Sequence, residues 1–210
     1  MIMIFEKPST RTRISFDLAI KQLGGSSVIL NPDGIHYGKG DESLKDTARV
    51  LSEYADILMI RTSSHKNLEE FSKYSTVPVI NGLSDQSHPC QVMSDILTFE
   101  ENNGNREGKT IEMIGDGNNN MSKSLIEAAG KLNFNLVIGC PQKYSPGKKI
   151  LTWAKKNKVS LKKTNKPQEA VKDSDCVMTD KGVAMNDKVN KKLTTKHITK
   201  YKANKNLTKS

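Results

Sequence analysis

Ser9-Thr10-Arg11-Thr12-Arg13 follows a short apolar run, Met1 to Phe5, and the strand-stopping Pro8. Three hydroxyls and two guanidiniums in five residues, where a helix is about to begin, is the composition of an anion site. Free backbone N–H groups, small hydroxyls and a forked guanidinium match the tetrahedral oxygens of a phosphate better than they match a lone carboxylate. Ser9 or Thr10 is expected to cap the helix by accepting a bond from a first-turn N–H. A capped surface helix with solvated arginines fits the same residues, so the rest of the chain has to decide.

Further candidates stand where other apolar runs end: Arg61-Thr62, Asn81-Gly82 with His88 and Gln91 soon after, the turn Gly115 to Asn120, and Asp180. His88 can donate to a carbonyl oxygen and Gln91 can hold an amide. Asn120 with Asp180 offers partners for the charged ends of an amino acid. Each has a plainer reading: His88 or Asp180 as a helix cap, Arg61 as a surface charge, Gly-Asp-Gly-Asn as an ordinary strand-to-helix turn.

The elements that must position these residues alternate regularly. A strand at Met1–Phe5 leads into a helix carrying Ile14, Leu18 and Leu23. Strand 28–30, helix 43–54, strand 57–60, helix 68–74 and strand 77–80 follow. A long helix after His88-Pro89, with Val92, Ile96, Leu97 and Phe99 as its apolar stripe, ends near Asn102-Asn103-Gly104. The rhythm then restarts with strand 110–114, the Gly115–Asn120 turn, helix 121–132, strand 136–140, helix 148–156, strand 159–162, helix 168–172 and strand 176–178. This pattern predicts α/β architecture with two doubly wound parallel-sheet domains, divided as 1–103 and 104–210. In such sheets ligands bind outside the carboxyl ends of the strands, which is where the candidate residues fall.

Bulk properties bound the function. With 210 residues, 35% of them hydrophobic and 27% charged, the chain has the composition of a globular protein. No apolar run approaches the roughly 18 residues of a membrane span, and no signal-peptide pattern precedes the first strand, so a cytoplasmic location is expected. Cys90, Cys140 and Cys176 are scattered without metal-ligand spacing, and neither a disulfide framework nor a metal site is expected. Residues 1–105 carry 10 basic and 14 acidic side chains and residues 106–210 carry 23 and 9, so the whole excess of +10 lies in the second half. The lysines there come as scattered pairs among Asn and Thr with no nucleic-acid motif, which reads as a solvated surface rather than a nucleic-acid site.

Taken in order, Phe5–Arg13 (F-E-K-P-S-T-R-T-R), Asp46–Leu51 (D-T-A-R-V-L), Val77–Leu83 (V-P-V-I-N-G-L), His88–Gln91 (H-P-C-Q) and Gly115–Asn119 (G-D-G-N-N) closely resemble the aspartate/ornithine carbamoyltransferase family. The Gly-Asp-Gly-Asn-Asn turn and the T-D-x-x-x-x-M pattern from Thr179 to Met185 are similar to its ornithine branch. The resemblance implies carbamoyl transfer from carbamoyl phosphate to the δ-amine of ornithine, giving citrulline and phosphate in arginine biosynthesis, without metal or organic cofactor. It implies that Ser9, Thr10, Arg11, Thr12 and Arg61 bind the phosphate, that His88 meets the carbonyl oxygen and Gln91 the carbamoyl amide, and that Asn120, Asp180 and Met185 bind ornithine. Arg11, Arg61 and His88 are the implied catalytic groups. The family assembles as a homotrimer, with a loop corresponding to His36–Asp41 reaching toward a neighbour's site.

The family's His-Cys-Leu-Pro segment has no counterpart here. Nor have its leading helix and strand or its closing helix, so truncation at both ends is expected. Gly182 and Ala184 stand where the family has tryptophan and serine. A second reading therefore stays open, a carbamoyl-phosphate-binding or regulatory remnant without catalysis.

Overall fold

The structure, a computed structural model, describes residues 1–32, 42–180, 201 and 203. The loop 36–41 and residues Gly182, Ala184 and Met185 lie outside the described residues. Packing divides the chain into Met1–Cys90 and Gln91–Ser210.

In the first unit β1 (Ile2–Phe5), β2 (Val28–Leu30), β3 (Leu58–Arg61) and β4 (Val79–Leu83) form a parallel sheet in the order β2-β1-β3-β4. The two central strands read I-M-I-F and L-M-I-R, buried at every position, as strands covered on both faces require. Helix α2 (Leu44–Tyr54) and helix α3 (His65–Tyr74) each start on a serine whose side chain accepts a backbone N–H, Ser43 from Asp46 and Ser64 from Asn67. Ile2, Ile4, Leu58, Ile60 and Phe71 form the core on one face, and Met3, Phe5 and Met59 form a smaller one on the other.

Helix α1 (Thr10–Gln22) departs from the sequence reading, because none of its residues is buried. Ile14 and Leu18 are half exposed and Leu23 is 83% exposed, while Phe16 packs against the Met3–Met59 cluster. The apolar rhythm is real, but it points away from the sheet.

Helix α4 (Pro89–Asn103) runs where its stripe predicts, and Val92, Ile96 and Phe99 join the core of the second unit, whereas Leu97, read as part of the same stripe, is 56% exposed because it falls on the solvent side of the helix. The packing boundary therefore precedes this helix, whereas the Asn-Gly-rich boundary read from composition follows it. The second sheet contains β5 (Thr110–Ile114), β6 (Asn135–Gly139), β7 (Leu161–Thr164) and β8 (Cys176–Thr179), all parallel, in the order β7-β6-β5-β8. Helix α5 (Asn120–Leu132) and helix α6 (Lys148–Lys156) pack on one face over Ile111 and Met113, and the short α7 (Pro167–Val171) covers Ile114 on the other.

Both sheets reverse their winding at one place. The chain passes from β1 to β2 and then to β3 on the far side of β1; likewise from β5 through β6 and β7, and then to β8 on the far side of β5. Between β1 and β3 the connections leave in opposite directions, and at β5 and β8 the winding reverses, which opens a crevice at the carboxyl ends of each pair.

Candidate functional sites at the two strand-end crevices

At the first crevice the ends of β1 and β3 are in register, with Phe5 opposite Arg61. The Glu6 N–H donates to the Arg61 carbonyl at 2.9 Å. The Glu6 carboxylate accepts from the Thr62 hydroxyl at 2.7 Å and the Ser63 N–H at 3.0 Å, which ties the loop after β3 to the loop after β1. Glu6, Thr62 and Ser63 carry this brace, and sequence reading singled out only Thr62.

Ser9 is the N-cap of α1 by backbone geometry, but its side chain makes no capping bond. The expectation that Ser9 or Thr10 satisfies the helix start is thereby corrected: the first-turn N–H groups, which have no intrahelical acceptor, are not taken up by the Ser9 hydroxyl. A helix of 13 residues thus presents donors and its positive dipole end to the crevice. Arg11 and Thr10 are exposed beside it, and Ser9 and Thr12 are half-buried.

Arg61 is the unusual member. It is only 6% exposed, its Nη1 donates to the Thr12 hydroxyl across a long 3.4 Å, and its buried Nε has no hydrogen-bond partner. No ion pair to Arg61 exists among the described residues. Burial lowers its pKa from the ordinary arginine value, yet a guanidinium stays protonated at any physiological pH. The result is a fixed positive charge, out of water and without a carboxylate. Such an arrangement costs several kcal/mol of desolvation unless an anion fills it.

His88 stands at the end of the loop that leaves β4. That loop is fastened by the Ser84 N–H donating to the Ser87 carbonyl at 2.8 Å and by the Asn81 amide donating to the Ser87 hydroxyl at 2.7 Å. Burial, and then the Arg61 charge, push the His88 pKa down to about 4. Its imidazole is neutral at pH 7, able to offer a hydrogen bond without adding a charge. Thr12, Arg61 and His88 are therefore related in the first unit: a 3.4 Å contact joins the first two, and electrostatics join the last two.

The second crevice is built by the turn after β5. Gly115 has φ +130°, a conformation that side chains disfavour. A Cβ on Gly117 would lie 2.8 Å from both the Cys140 sulfur and the Tyr144 carbonyl. The turn is thus pressed against the segment after β6, and only glycine fits it. Asn119, not Asn120, caps α5: its side-chain oxygen accepts the Ser122 N–H at 2.8 Å, and its amide donates to the Asp180 carboxylate at 3.2 Å. Asn120 is the first helical residue, half-buried, and Asp180 is exposed directly after β8.

On α4, the Gln91 amide donates to the Asp95 carboxylate at 2.9 Å. The Asp95 pKa is raised by burial, against the Gln91 hydrogen bond, with a further rise from the negative charge of Asp180. The charge of Asp180 thus reaches Asp95 in the second unit, and sequence reading missed Asp95. Its signal was available, since Gln91 and Asp95 stand one helical turn apart. Asn119 was missed as a cap because the turn was read as ending at Asn120. No group of three or more metal-ligating side chains occurs among the described residues, and none of the described helices is long and apolar enough to cross a membrane.

Comparison with known proteins finds likenesses over most of the chain. The family model for "Aspartate/ornithine carbamoyltransferase, carbamoyl-P binding domain" matches residues 1–101, and that for the "Asp/Orn binding domain" matches residues 107–210. The ornithine carbamoyltransferase of Brucella ovis is 46% identical over 185 residues, covering 88% of this chain and 59% of that protein. That of Rhodopseudomonas palustris is 50% identical over 188 residues, covering 90% and 60%. The chain therefore spans about three fifths of the length of these curated relatives. Among solved structures, ornithine carbamoyltransferase from Pyrococcus furiosus superposes with a TM-score of 0.90 at 41% identity, covering 99% of this chain and 67% of that one. The anabolic enzyme of Campylobacter jejuni gives 0.90 at 35%, covering 99% and 70%.

Proposed function

The chain belongs to the aspartate/ornithine carbamoyltransferase family, and from that membership we propose that it serves the transfer of a carbamoyl group from carbamoyl phosphate to the δ-amine of ornithine. The observation that carries this reading is Arg61, a buried cation with no carboxylate partner among the described residues, placed beside Thr12 and the open N-terminus of α1. Ser9, Thr10, Arg11, Thr12 and Arg61 hold the phosphate of the donor. His88 donates to the carbamoyl oxygen and Gln91 holds the carbamoyl nitrogen. Asn120 and Asp180, with Met185, receive ornithine, Asp180 facing its α-ammonium. Residues 1–103 thus serve carbamoyl phosphate and residues 104–210 serve ornithine.

The neutral δ-amine attacks the carbonyl carbon, and the C=O electron pair moves onto oxygen. As that pair returns, the C–O bond to phosphate breaks, the amine's proton passes to an oxygen of the departing phosphate, and citrulline and inorganic phosphate result. Negative charge grows on the carbonyl oxygen and then on the departing phosphate, where fixed donors are most effective. A neutral His88 suits this step, because it polarises the carbonyl while leaving the strongest positive charge to the phosphate side. A place in arginine biosynthesis, a cytoplasmic location and a homotrimer completed by the loop His36–Asp41 belong to the same reading.

The test is calorimetric titration with carbamoyl phosphate, followed by a citrulline assay with ornithine and an Arg61→Met control. Binding and turnover that both vanish in the control are expected. Binding without citrulline would leave a carbamoyl-phosphate-binding protein, and no binding by the folded chain would overturn the proposal.

A further inference from the structure

In the middle of the second sheet stands a carboxyl group for which carbamoyl transfer has no use. Glu112 is the central residue of β5, itself one of the two inner strands, and it is 0% exposed. Among the described residues, neither carboxyl oxygen has a hydrogen-bond partner. Its cross-strand neighbours are Val137 on β6 and Val177 on β8, both apolar. Ile114 shares its strand face, with Ala170 and Val171 of α7 packed over it. A Cβ on Gly139 would lie 3.2 Å from a Glu112 oxygen, so the backbone of β6 closes against the group from the side.

Among the described residues, the charged groups of the surrounding elements do not answer it. On β7, Lys162 lies in the same cross-sheet row but beyond Val137, and it is exposed. On α7, Glu169 is exposed and paired with Lys166 at the helix start. On β8, Cys176 packs with the opposite core, and Asp175 is held by Lys109 and the Thr110 N–H at the far end of the strand. Tyr201 is buried, but its hydroxyl donates to the Asn165 carbonyl.

We propose that Glu112 is a built-in pH-sensitive device: the second unit is fully stable only while this carboxyl is uncharged, and its ionisation loosens β5 from β6 and β8. A neutral acid among valines loses only its hydrogen bonds to water, whereas an ionised one is an uncompensated charge in an apolar layer. Burial pushes the pKa of this group up to about 7 from an ordinary 4.5, so the transition falls at neutral pH. The sign follows from linkage. The folded state holds the proton more tightly than the unfolded state, so stability is unaffected below pH 4.5, declines as pH rises, and reaches its full loss above pH 7. Two of the strands that ionisation would part, β5 and β8, lead directly into the turns that hold Asn119 and Asp180.

Trp153, the only tryptophan, packs against the core of the second unit and reports on it alone. Urea unfolding followed by its fluorescence at pH 5 and pH 8 should show the unfolding constant rising roughly seventyfold in the unaltered chain. Glu112→Gln, which keeps shape and removes the charge, should abolish most of that rise. Other groups that titrate in this window are common to both proteins, so the difference isolates Glu112. A flat profile in the unaltered chain, or an unchanged slope in Glu112→Gln, would overturn the proposal. Should the variant fail to fold, infrared spectroscopy of the unaltered chain decides. A protonated-carboxyl band present at pH 6 and lost by pH 8 supports the proposal, and absence of that band at pH 6 refutes it.

Discussion

Arg61 and His88 show how one charge governs its neighbours when water is excluded. Among the described residues the buried Arg61 guanidinium makes one long hydrogen bond, to Thr12, and a charge buried with so little support is expected to cost the fold stability, the usual signature of a group kept for its ligand. Arg61→Met should therefore raise the urea-unfolding free energy of the first unit by about 1 kcal/mol or more, while weakening affinity for carbamoyl phosphate roughly a hundredfold or more. An arginine that merely supported the fold would give the opposite stability result. His88 follows from the same charge. Its folded pKa of about 4 lies below the ordinary 6.5, so the unfolded chain takes up a proton first. The stability of the first unit is then intact above pH 6.5 and falls as pH drops toward 4, by about 3 kcal/mol in all. Carbamoyl-phosphate binding should show no histidine titration between pH 5 and 8, and an inflection near 6.5 assigned to His88 by NMR would contradict this.

The elements were legible wherever burial is continuous, and misjudged wherever it is one-sided. Strands β1 and β5 and helix α4 stand where their apolar patterns put them. Strand β4 is displaced from the reading 77–80 to Val79–Leu83 because Asn81 and Gly82 look like a turn. Here the absent side chain of Gly82 makes room for the Met59 sulfur, which a Cβ would meet at 2.4 Å. Strand β7 reads L-K-K-T, an edge strand whose lysines face solvent, and its propensity is too weak to locate its ends. The contacts that assemble each crevice were out of reach, since Thr62 bonds Glu6 across 56 residues and Asn119 bonds Asp180 across 61. Strand-end position was enough to nominate Arg61, His88 and Asp180; only packing could reveal the brace at Glu6 or the buried state of Glu112. Asn119 offers the test at this scale. Asn119→Asp keeps a good cap for α5 but replaces the donor to Asp180 with a like charge. The unfolding free energy should change by less than about 1 kcal/mol; ornithine affinity should change far more, and equal losses in both would assign Asn119 to the cap alone.

At the scale of the molecule, the two units respond to pH in opposite senses, the first weakened by acid through His88 and the second by alkali through Glu112. Hydrogen exchange corrected for intrinsic rates should find β1 and β3 better protected at pH 8 than at pH 5, and β5 and β6 the reverse. Parallel trends in both units would show that the two groups do not govern stability. The sheet orders also set a schedule. Each described strand of the first sheet pairs, as it is made, with one already available. In the second, β5 receives its second partner only when β8 arrives, with Ile111 meeting Cys176 and the Thr110 N–H meeting Asp175 at a separation of 65 residues. During synthesis, at about 5–20 residues per second, one flank of β5 waits several seconds as an unpaired strand, its buried carboxyl side chain still wet. A charge on that side chain would then discourage wrong pairing during the interval when the strand is most open to it.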